Sequence, residues 1–434
     1  IGETMARKYW VTCTNPPYMG GRNIGNGLGE KIQELYPDGK SDLFAVFIER
    51  CNCFLVPNGM VAMITMHTFM FLSSFEKMRE KLLEQYTITN LMHMENMVMG
   101  IAFGTAVSIF KTILLEGYKG TYNQIKLQDV EDGKPTIFPV MRNRFAQVSS
   151  VNFSKIPGSP VAYWVSENFV RAFENPKLGE IAKPRQGLAT GCNDIFTRCW
   201  FELSINFMCF NACSRSDALI SEKKWFPYNK GGEYRKWYGN NDFVVNWEND
   251  GYDVKNFKGS VIRNSNHYFK ESISWSKISS NTIAFRYKPF GHIFDVAGTS
   301  IFGDHNILIY LLGLNNSKVI STLLKILSPT MNYEVGQISS IPVIMANNDT
   351  KKIIKELVER NIEIEKEDWD SFETSWNFTT HPLIEYKEAY GYGSDLNDWS
   401  YKIKDAYESW KLNCDKKFKL LKNNEEELNR IFID

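Results

Sequence analysis

The sequence predicts an α/β protein: a layered sheet first, an α+β domain after it, and a helical tail. Three observations carry this. Over residues 1–118 strand-length apolar runs alternate with helix-length ones, over 151–345 short β-rich pieces are separated by Gly, Asn, Ser and Asp, and 346–434 is charged, with its apolar residues at helical spacing. At 434 residues the chain exceeds what one hydrophobic core usually organises, so two or three domains are expected.

Residues 8–14 form a short β-rich run that ends at Asn15. Leu43, Phe44, Val46, Phe47, Ile48 and Phe54 make 42–56 dense enough for a mostly buried helix, which Pro57-Asn58-Gly59 stops. MVAMIT at 60–65 reads as a buried strand, 75–83 as a second helix, 87–92 as another strand and 106–115 as a longer one. Turn residues fill 117–133 around a short strand at 124–127, so 119–150 reads as a connecting segment leading out of the sheet. In the second domain a helix over 317–327 is capped by Ser317 and broken before Pro329. Ile353, Ile354, Leu357 and Val358 share one face of a charged helix over 349–366, and another helical stretch starts near Asp398.

Lysines and arginines number 50 and acids 50, so net charge does not decide for or against nucleic acid, whose phosphates need only a local basic surface. No apolar run reaches the roughly 18 residues that would span a bilayer, so a soluble, cytoplasmic protein without a membrane partner is expected. The eight cysteines form no CxxC pair and the six histidines are scattered, which predicts free thiols and no metal. The chain starts at Ile1, lacks a signal peptide's charged start and apolar core, and stops inside a helical run, so a fragment of a longer protein is expected.

Asn15-Pro16-Pro17-Tyr18 carries the chemistry. The amine on adenine's ring is a poor nucleophile because its lone pair is delocalised into the heterocycle. Two acceptors that each take one amine hydrogen pull the nitrogen toward tetrahedral geometry, and the Asn15 carboxamide and the Pro16 carbonyl supply them, already placed. The prolines fix φ and lack N–H donors, which stiffens the turn. Tyr18 offers a ring on which a base swung out of a duplex can stack. The bland alternative is a rigid surface turn; the apolar β-run before the tetrad, the Gly-containing loop after it and the α/β pattern argue against that, because ligands of such sheets bind at the carboxyl ends of strands.

The tetrad with Met19 and Gly20, then SDLFAVFIERC (41–51), PNGMVAMIT (57–65) and AFGTAVSIF (102–110), resembles the ordered motif series of gamma-class adenine DNA methyltransferases. The resemblance is most specific to the methyltransferases of BREX phage-exclusion systems, which are related to single-chain restriction-modification enzymes. It implies a partial Rossmann-like methyltransferase sheet, with 1–118 as the C-terminal part of the catalytic domain, and transfer of a methyl group from S-adenosylmethionine to N6 of a flipped adenine in double-stranded DNA. It further implies that Phe103, like Tyr18, packs against the flipped base; a core phenylalanine at a strand start is an equal alternative. Of the cofactor contacts the resemblance implies, this chain offers at most Asn15 and Asp42; two readings of Asp42 are open, approach to the cofactor and support of a helix N-terminus, and the second is favoured.

A fold of this type holds its cofactor with a Gly-rich turn after the first strand and an acid after the second. Neither precedes Asn15, so weak or no binding of S-adenosylmethionine is expected from this chain by itself, and it is expected to be inactive alone. Gly25-Asn26-Gly27-Leu28-Gly29 follows the tetrad with no strand leading into it and reads as a flexible loop near the substrate.

In 221–238, Lys223, Lys224, Arg235 and Lys236 are interleaved with Trp225, Phe226, Tyr228, Tyr234, Trp237 and Tyr238, which suits a nucleic-acid surface but equally a β-rich core with solvated lysines. Arg286 and Lys288, in FRYKPF, carry the same ambiguity. The segment 311–343 is similar to the closing segment of target-recognition domains, which implies that 151–345 reads sequence in duplex DNA. DNA and defence-system proteins are the expected partners. Two rival readings stay open: a glutamine methyltransferase acting on protein, and a DNA- or partner-binding defence module in which methylation is not essential.

Overall fold

The computed structural model describes residues 2–279, 282–328, 332–388 and 403–433. It is a mixed α/β structure, and it divides into two compact units, one ending at Asn175 and the other starting at Pro176.

The first unit is built on a six-stranded sheet of β1 (Tyr9–Thr14), β2 (Leu55–Met66), β3 (Thr87–Met94), β4 (Thr105–Lys111), β5 (Gly120–Ile125) and, after the two-residue strands β6 (Val130–Glu131) and β7 (Lys134–Pro135), β8 (Arg144–Val148). Its order is β1-β2-β4-β3-β5-β8, with β1 parallel to β2 and β4 antiparallel to both of its neighbours. Phe44, Ala45 and Ile48 of the helix Leu43–Asn52, and Met78, Leu82 and Leu83 of the helix Glu76–Gln85, form one core with Val61, Met63, Ile88, Leu91, Ala106 and Phe110 of the strands. The first four strands and these two helices match the expected ones within several residues.

Three local expectations change. The turn at Pro57-Asn58-Gly59 lies inside the pairing of β2: Tyr9 pairs with Leu55 but Val11 with Met60, and Asn58 takes a φ of 66° in the interruption. The helix before it already stops at Asn52. Residues 119–150 do not lead out of the sheet but supply β5 and β8, because Tyr122 is buried and stacks on Tyr163 at 5.2 Å. The glycine-rich 25–29 segment is not a loop: the helix Asn26–Leu35 starts there, held by Ile32 packed with Ile24 and Val46.

The second unit holds two four-stranded sheets. Its strands are β9 (Lys183–Arg185), β10 (Thr197–Cys199), β11 (Trp225–Asn229), β12 (Phe243–Asn246), β13 (Ser272–Trp275), β14 (Phe285–Lys288), β15 (Ile293–Phe294) and β16 (Ser300–Phe302), ordered β10-β12-β11-β15 and β14-β13-β16-β9. Aromatic side chains fill one of its cores: Phe226, Tyr228, Trp247, Tyr268, Phe269, Phe294 and Phe302. The helix Lys318–Leu327 is capped as expected, Ser317 Oγ accepting from the Ile320 N–H at 3.4 Å.

The tail is part of this unit. The helix Asn348–Asp370 packs on His305–Asn315, close enough that a Cβ at Gly313 would lie 2.8 Å from Val358 Cγ2, and it packs also on Ile403–Ile433. Its buried stripe is Ile354, Val358, Asn361 and Ile364, whereas Ile353 is exposed. Asn424 donates to Asn361 Oδ1 at 2.9 Å inside the helix pair, a polar contact that favours one register. The expected helix start near Asp398 lies outside the described residues. No single described helix is long and apolar enough to cross a membrane.

His292 is buried in the second unit, its ring within 3.2 Å of the Pro289 carbonyl. Burial, with the Lys288 charge nearby, pushes its pKa down to about 3. The unfolded chain therefore takes up a proton below pH 6.5 that the folded chain refuses, and stability present above that pH is lost as the pH falls toward 3. Between pH 7 and pH 5 the wild type should lose about 2 kcal/mol more than His292→Gln. Denaturant titrations of both proteins at the two pH values check this, and equal losses would contradict it.

Candidate active site

β1 and β2 run parallel, so their carboxyl ends open on the same side of the sheet, and β4, antiparallel to β2, begins there with Thr105 opposite Met66. The tetrad follows β1, and the 101–104 loop precedes β4. Topology alone thus brings Tyr18 and Phe103 together.

Pro16 is buried, while Asn15 is exposed and Tyr18 half-buried. The Tyr18 hydroxyl lies 3.2 Å from Asn15 Oδ1 and 3.3 Å from the Ile64 carbonyl at the end of β2, so its one hydrogen has two acceptors. Its ring meets Phe103 edge-on at 5.5 Å and Phe44 at 6.1 Å. Burial raises the Tyr18 pKa, so the hydroxyl stays protonated. Phe103 is 37% exposed, more open than a core phenylalanine.

Asp42 caps the helix Leu43–Asn52: its Oδ1 accepts from the Phe44 N–H at 3.3 Å and from the Met19 N–H at 3.0 Å. Together with Leu43 N–H donating to the Met19 carbonyl and Gly21 N–H to the Ser41 carbonyl, it ties the residue after the tetrad to the helix start. That is the favoured one of its two readings, with the tetrad as beneficiary. The described residues do not fit a complete site for S-adenosylmethionine: β1 is an edge strand, no strand with a Gly-rich turn lies beside it, and Asp42 Oδ1 is committed to backbone.

Behind the 101–104 loop lies a feature absent from the sequence reading. His67 Nδ1 is 2.9 Å from His93 Nε2, and His93 Nδ1 is 3.0 Å from the Tyr163 hydroxyl. Burial lowers both histidine pKa values, that of His93 to about 3 with His67 adding to the effect, so both rings are neutral. No local pattern in the sequence marks these histidines, because their partners lie 26 and 70 residues away.

In the second unit the six expected DNA-binding cations separate by burial. Lys223 and Lys224 are half-buried, the first donating to the Asn206 carbonyl and the second paired with Glu248 at 3.1 Å. Arg235 pairs with Glu365 at 3.4 Å and with Asp368, and lies over the Trp369 ring. Lys236 reaches Glu425 at 2.9 Å, which also accepts from Trp237 Nε1. Arg286 and Lys288 are fully buried, Arg286 donating to the Arg235 carbonyl and Ser276 Oγ. Their expected role in DNA contact is corrected: neither charge reaches a surface. The interleaved Trp225, Phe226, Tyr228, Trp237 and Tyr238 are core residues.

Arg235→Ala and Lys236→Ala are accordingly expected to lower stability by about 1 kcal/mol each by loosening the two long helices. The salt dependence of DNA binding should be unchanged, whereas loss of a phosphate contact would reduce its slope by about one. Binding isotherms over a salt series check this, and a reduced slope would restore the DNA-contact reading.

Residues 3–98 match the family model of the Eco57I restriction-modification methylase, a span that includes three of the four motifs quoted above. The adenine-specific methyltransferase PglX of Lacticaseibacillus casei (strain Zhang) is 37% identical over 100% of this chain and 37% of its own length. The adenine-specific methyltransferase BrxX of Escherichia coli O9:H4 (strain HS) is 37% identical over 91% of this chain and 32% of its own length. The chain belongs to the PglX and BrxX family. It spans about a third of the length of these two relatives. The Type IIL restriction-modification enzyme MmeI, solved in complex with DNA, is similar in structure over 97% of this chain and 53% of that one, with a TM-score of 0.55 and 11% sequence identity, a likeness that shows the fold alone. The resemblance read from four motifs is thereby borne out at the level of the family.

Proposed function

We propose that this chain provides the amine-activating side of an adenine-specific DNA methyltransferase acting in phage defence. The observation that carries the reading is the Tyr18–Phe103 pair at 5.5 Å, with Asn15 Oδ1 at the Tyr18 hydroxyl. A base swung out of the duplex stacks against the two rings. Its exocyclic amine donates one hydrogen to Asn15 Oδ1 and one to the Pro16 carbonyl, which localises the lone pair on nitrogen. S-adenosylmethionine, when bound, would supply the methyl group as an electrophile, its sulfonium leaving as the neutral thioether, and one amine proton would pass to solvent.

The described residues beside the free edge of β1 offer nothing that would hold the donor. Trp10 is 71% and Val11 59% exposed there, more than a finished sheet of this kind leaves to water. This chain alone is expected to bind the donor weakly and to transfer no methyl group. The second unit, by its similarity to target-recognition domains, holds the duplex and selects the sequence, with Lys223 and Lys224 as candidate phosphate contacts.

The test is methyl transfer by the complete protein, with S-adenosylmethionine and either duplex DNA or a glutamine-containing peptide. N6-methyladenine in the DNA is the expected product. Methylated peptide with unmodified DNA, or tight duplex binding without any transfer, would overturn the reading in favour of one of its two rivals.

A further inference from the structure

The 101–104 loop that presents Phe103 carries no helix or strand of its own before β4 starts at Thr105. Its position is fixed from behind by His67. The His67 backbone N–H donates to the Gly104 carbonyl at 3.0 Å, and a Cβ at Gly104 would fall 2.3 Å from the His67 ring, so the imidazole itself lies in direct contact with the Gly104 backbone. Only glycine permits this approach.

The ring is itself held. Tyr163 is 1% exposed, and among the described residues its hydroxyl hydrogen has one neighbouring acceptor, His93 Nδ1. That assigns the chain of donors: Tyr163 O–H to His93 Nδ1, then His93 Nε2–H to His67 Nδ1, which leaves His67 with its hydrogen on Nε2 at the less buried end. The opposite direction would strand the Tyr163 hydrogen inside the core, at a cost of about 1–3 kcal/mol. Phe71 closes the arrangement, edge-on to His67 at 6.0 Å and tilted against His93 at 5.9 Å. Two hydrogen bonds and an aromatic wall thus set where the imidazole lies, and the imidazole sets where Gly104 and its neighbour Phe103 lie.

We infer that His67, oriented by His93 and Tyr163, is a positioning residue for the base-stacking ring of Phe103. This rests on the reading of Tyr18 and Phe103 as the stacking pair. His67 touches neither base nor donor; it acts through the backbone of Gly104. A ring displaced by about an ångström lowers the productive fraction of flipped base, which depresses turnover and leaves DNA capture by the second unit untouched.

The experiment uses the complete protein, S-adenosylmethionine, and a duplex carrying the sequence that the wild type methylates in cells. Gly104→Ala drives a methyl group into the imidazole, and should lower kcat by about tenfold or more with the KM for DNA within about twofold of wild type. His67→Ala removes the obstacle, so the double variant G104A/H67A should return to the activity of His67→Ala alone. Tyr163→Phe and His93→Gln interrupt the chain of donors and should lower kcat in the same direction. With 2-aminopurine in place of the target adenine, each variant that lowers kcat should also lower the fluorescence gain on binding, a change that loss of global stability does not produce in protein shown by circular dichroism to be folded. Wild-type kcat in His67→Ala and His93→Gln, or additive losses in the double variant, would overturn the inference. A wild-type protein that methylates no DNA would instead remove the proposed function, and this inference with it.

Discussion

Asn15→Ala is expected to reduce methyl transfer by the complete protein by about 10²–10³-fold, the usual loss when one preorganised hydrogen-bonding partner is removed from a reacting group. The geometry makes the variant a clean one. Asn15 is exposed, so no core contact is lost. Tyr18 loses the acceptor at 3.2 Å but keeps the Ile64 carbonyl at 3.3 Å and its ring contacts with Phe44 and Phe103, so the stacking surface stays in place. Duplex affinity and unfolding midpoint should therefore match wild type while single-turnover transfer falls. Asn15→Asp keeps an oxygen that can accept an amine hydrogen and should retain more activity than Ala. Transfer within tenfold of wild type in Asn15→Ala would mean that another group activates the amine, and the tetrad would then be a rigid turn.

What the sequence made legible follows from the range of the forces involved. The strands β1 to β4 and the helices between them announce themselves through local hydrophobic period, and Asp42 and Ser317 mark helix starts by chemistry that acts over two or three residues. The tetrad is legible for the same reason, since four consecutive residues carry it. The 119–150 segment reads as a connector because few of its residues are core: on β5, Tyr122 is made so by Phe153 and Tyr163, far along the chain, and Ile125 by Met94 and Val98. Two glycines in the first turn hid the helix Asn26–Leu35, whose stability comes from Ile24 and Val46 outside it rather than from propensity. The His67–His93–Tyr163 set has no local signature at all. Basic residues interleaved with aromatics look alike on a DNA-facing surface and in a polar-lined core, and only tertiary structure separates the two, as the last case illustrates most strongly.

Lys288→Ala is expected to destabilise the second unit by about 3–5 kcal/mol, the combined cost of buried acceptors left without a donor and of the cavity that a truncated side chain leaves. Lys288 is 0% exposed on β14, and its three ammonium hydrogens match three acceptors: the Gly239 carbonyl at 2.8 Å, the Asn240 carbonyl at 3.0 Å and Asn241 Oδ1 at 2.5 Å. Those acceptors lie on a turn with Trp237, Gly239 and Asn240 at positive φ, a conformation that two side-chain-bearing residues adopt only under constraint, and Lys288 supplies it. Alanine would leave three buried acceptors without a donor and a cavity beside them. Lys288→Met keeps most of the volume and should cost less than Ala, separating lost packing from lost hydrogen bonds. Burial, with the Arg286 charge alongside, pulls the Lys288 pKa well below its ordinary value. Because the folded chain then releases its proton before the unfolded chain does, wild type should gain stability relative to Lys288→Met as the pH rises from the lowered folded pKa toward 10.5. Denaturant midpoints of the three proteins across that interval check both statements. A loss under about 1 kcal/mol in Lys288→Ala, combined with a weaker salt dependence of DNA binding, would show that this lysine reaches the duplex after all.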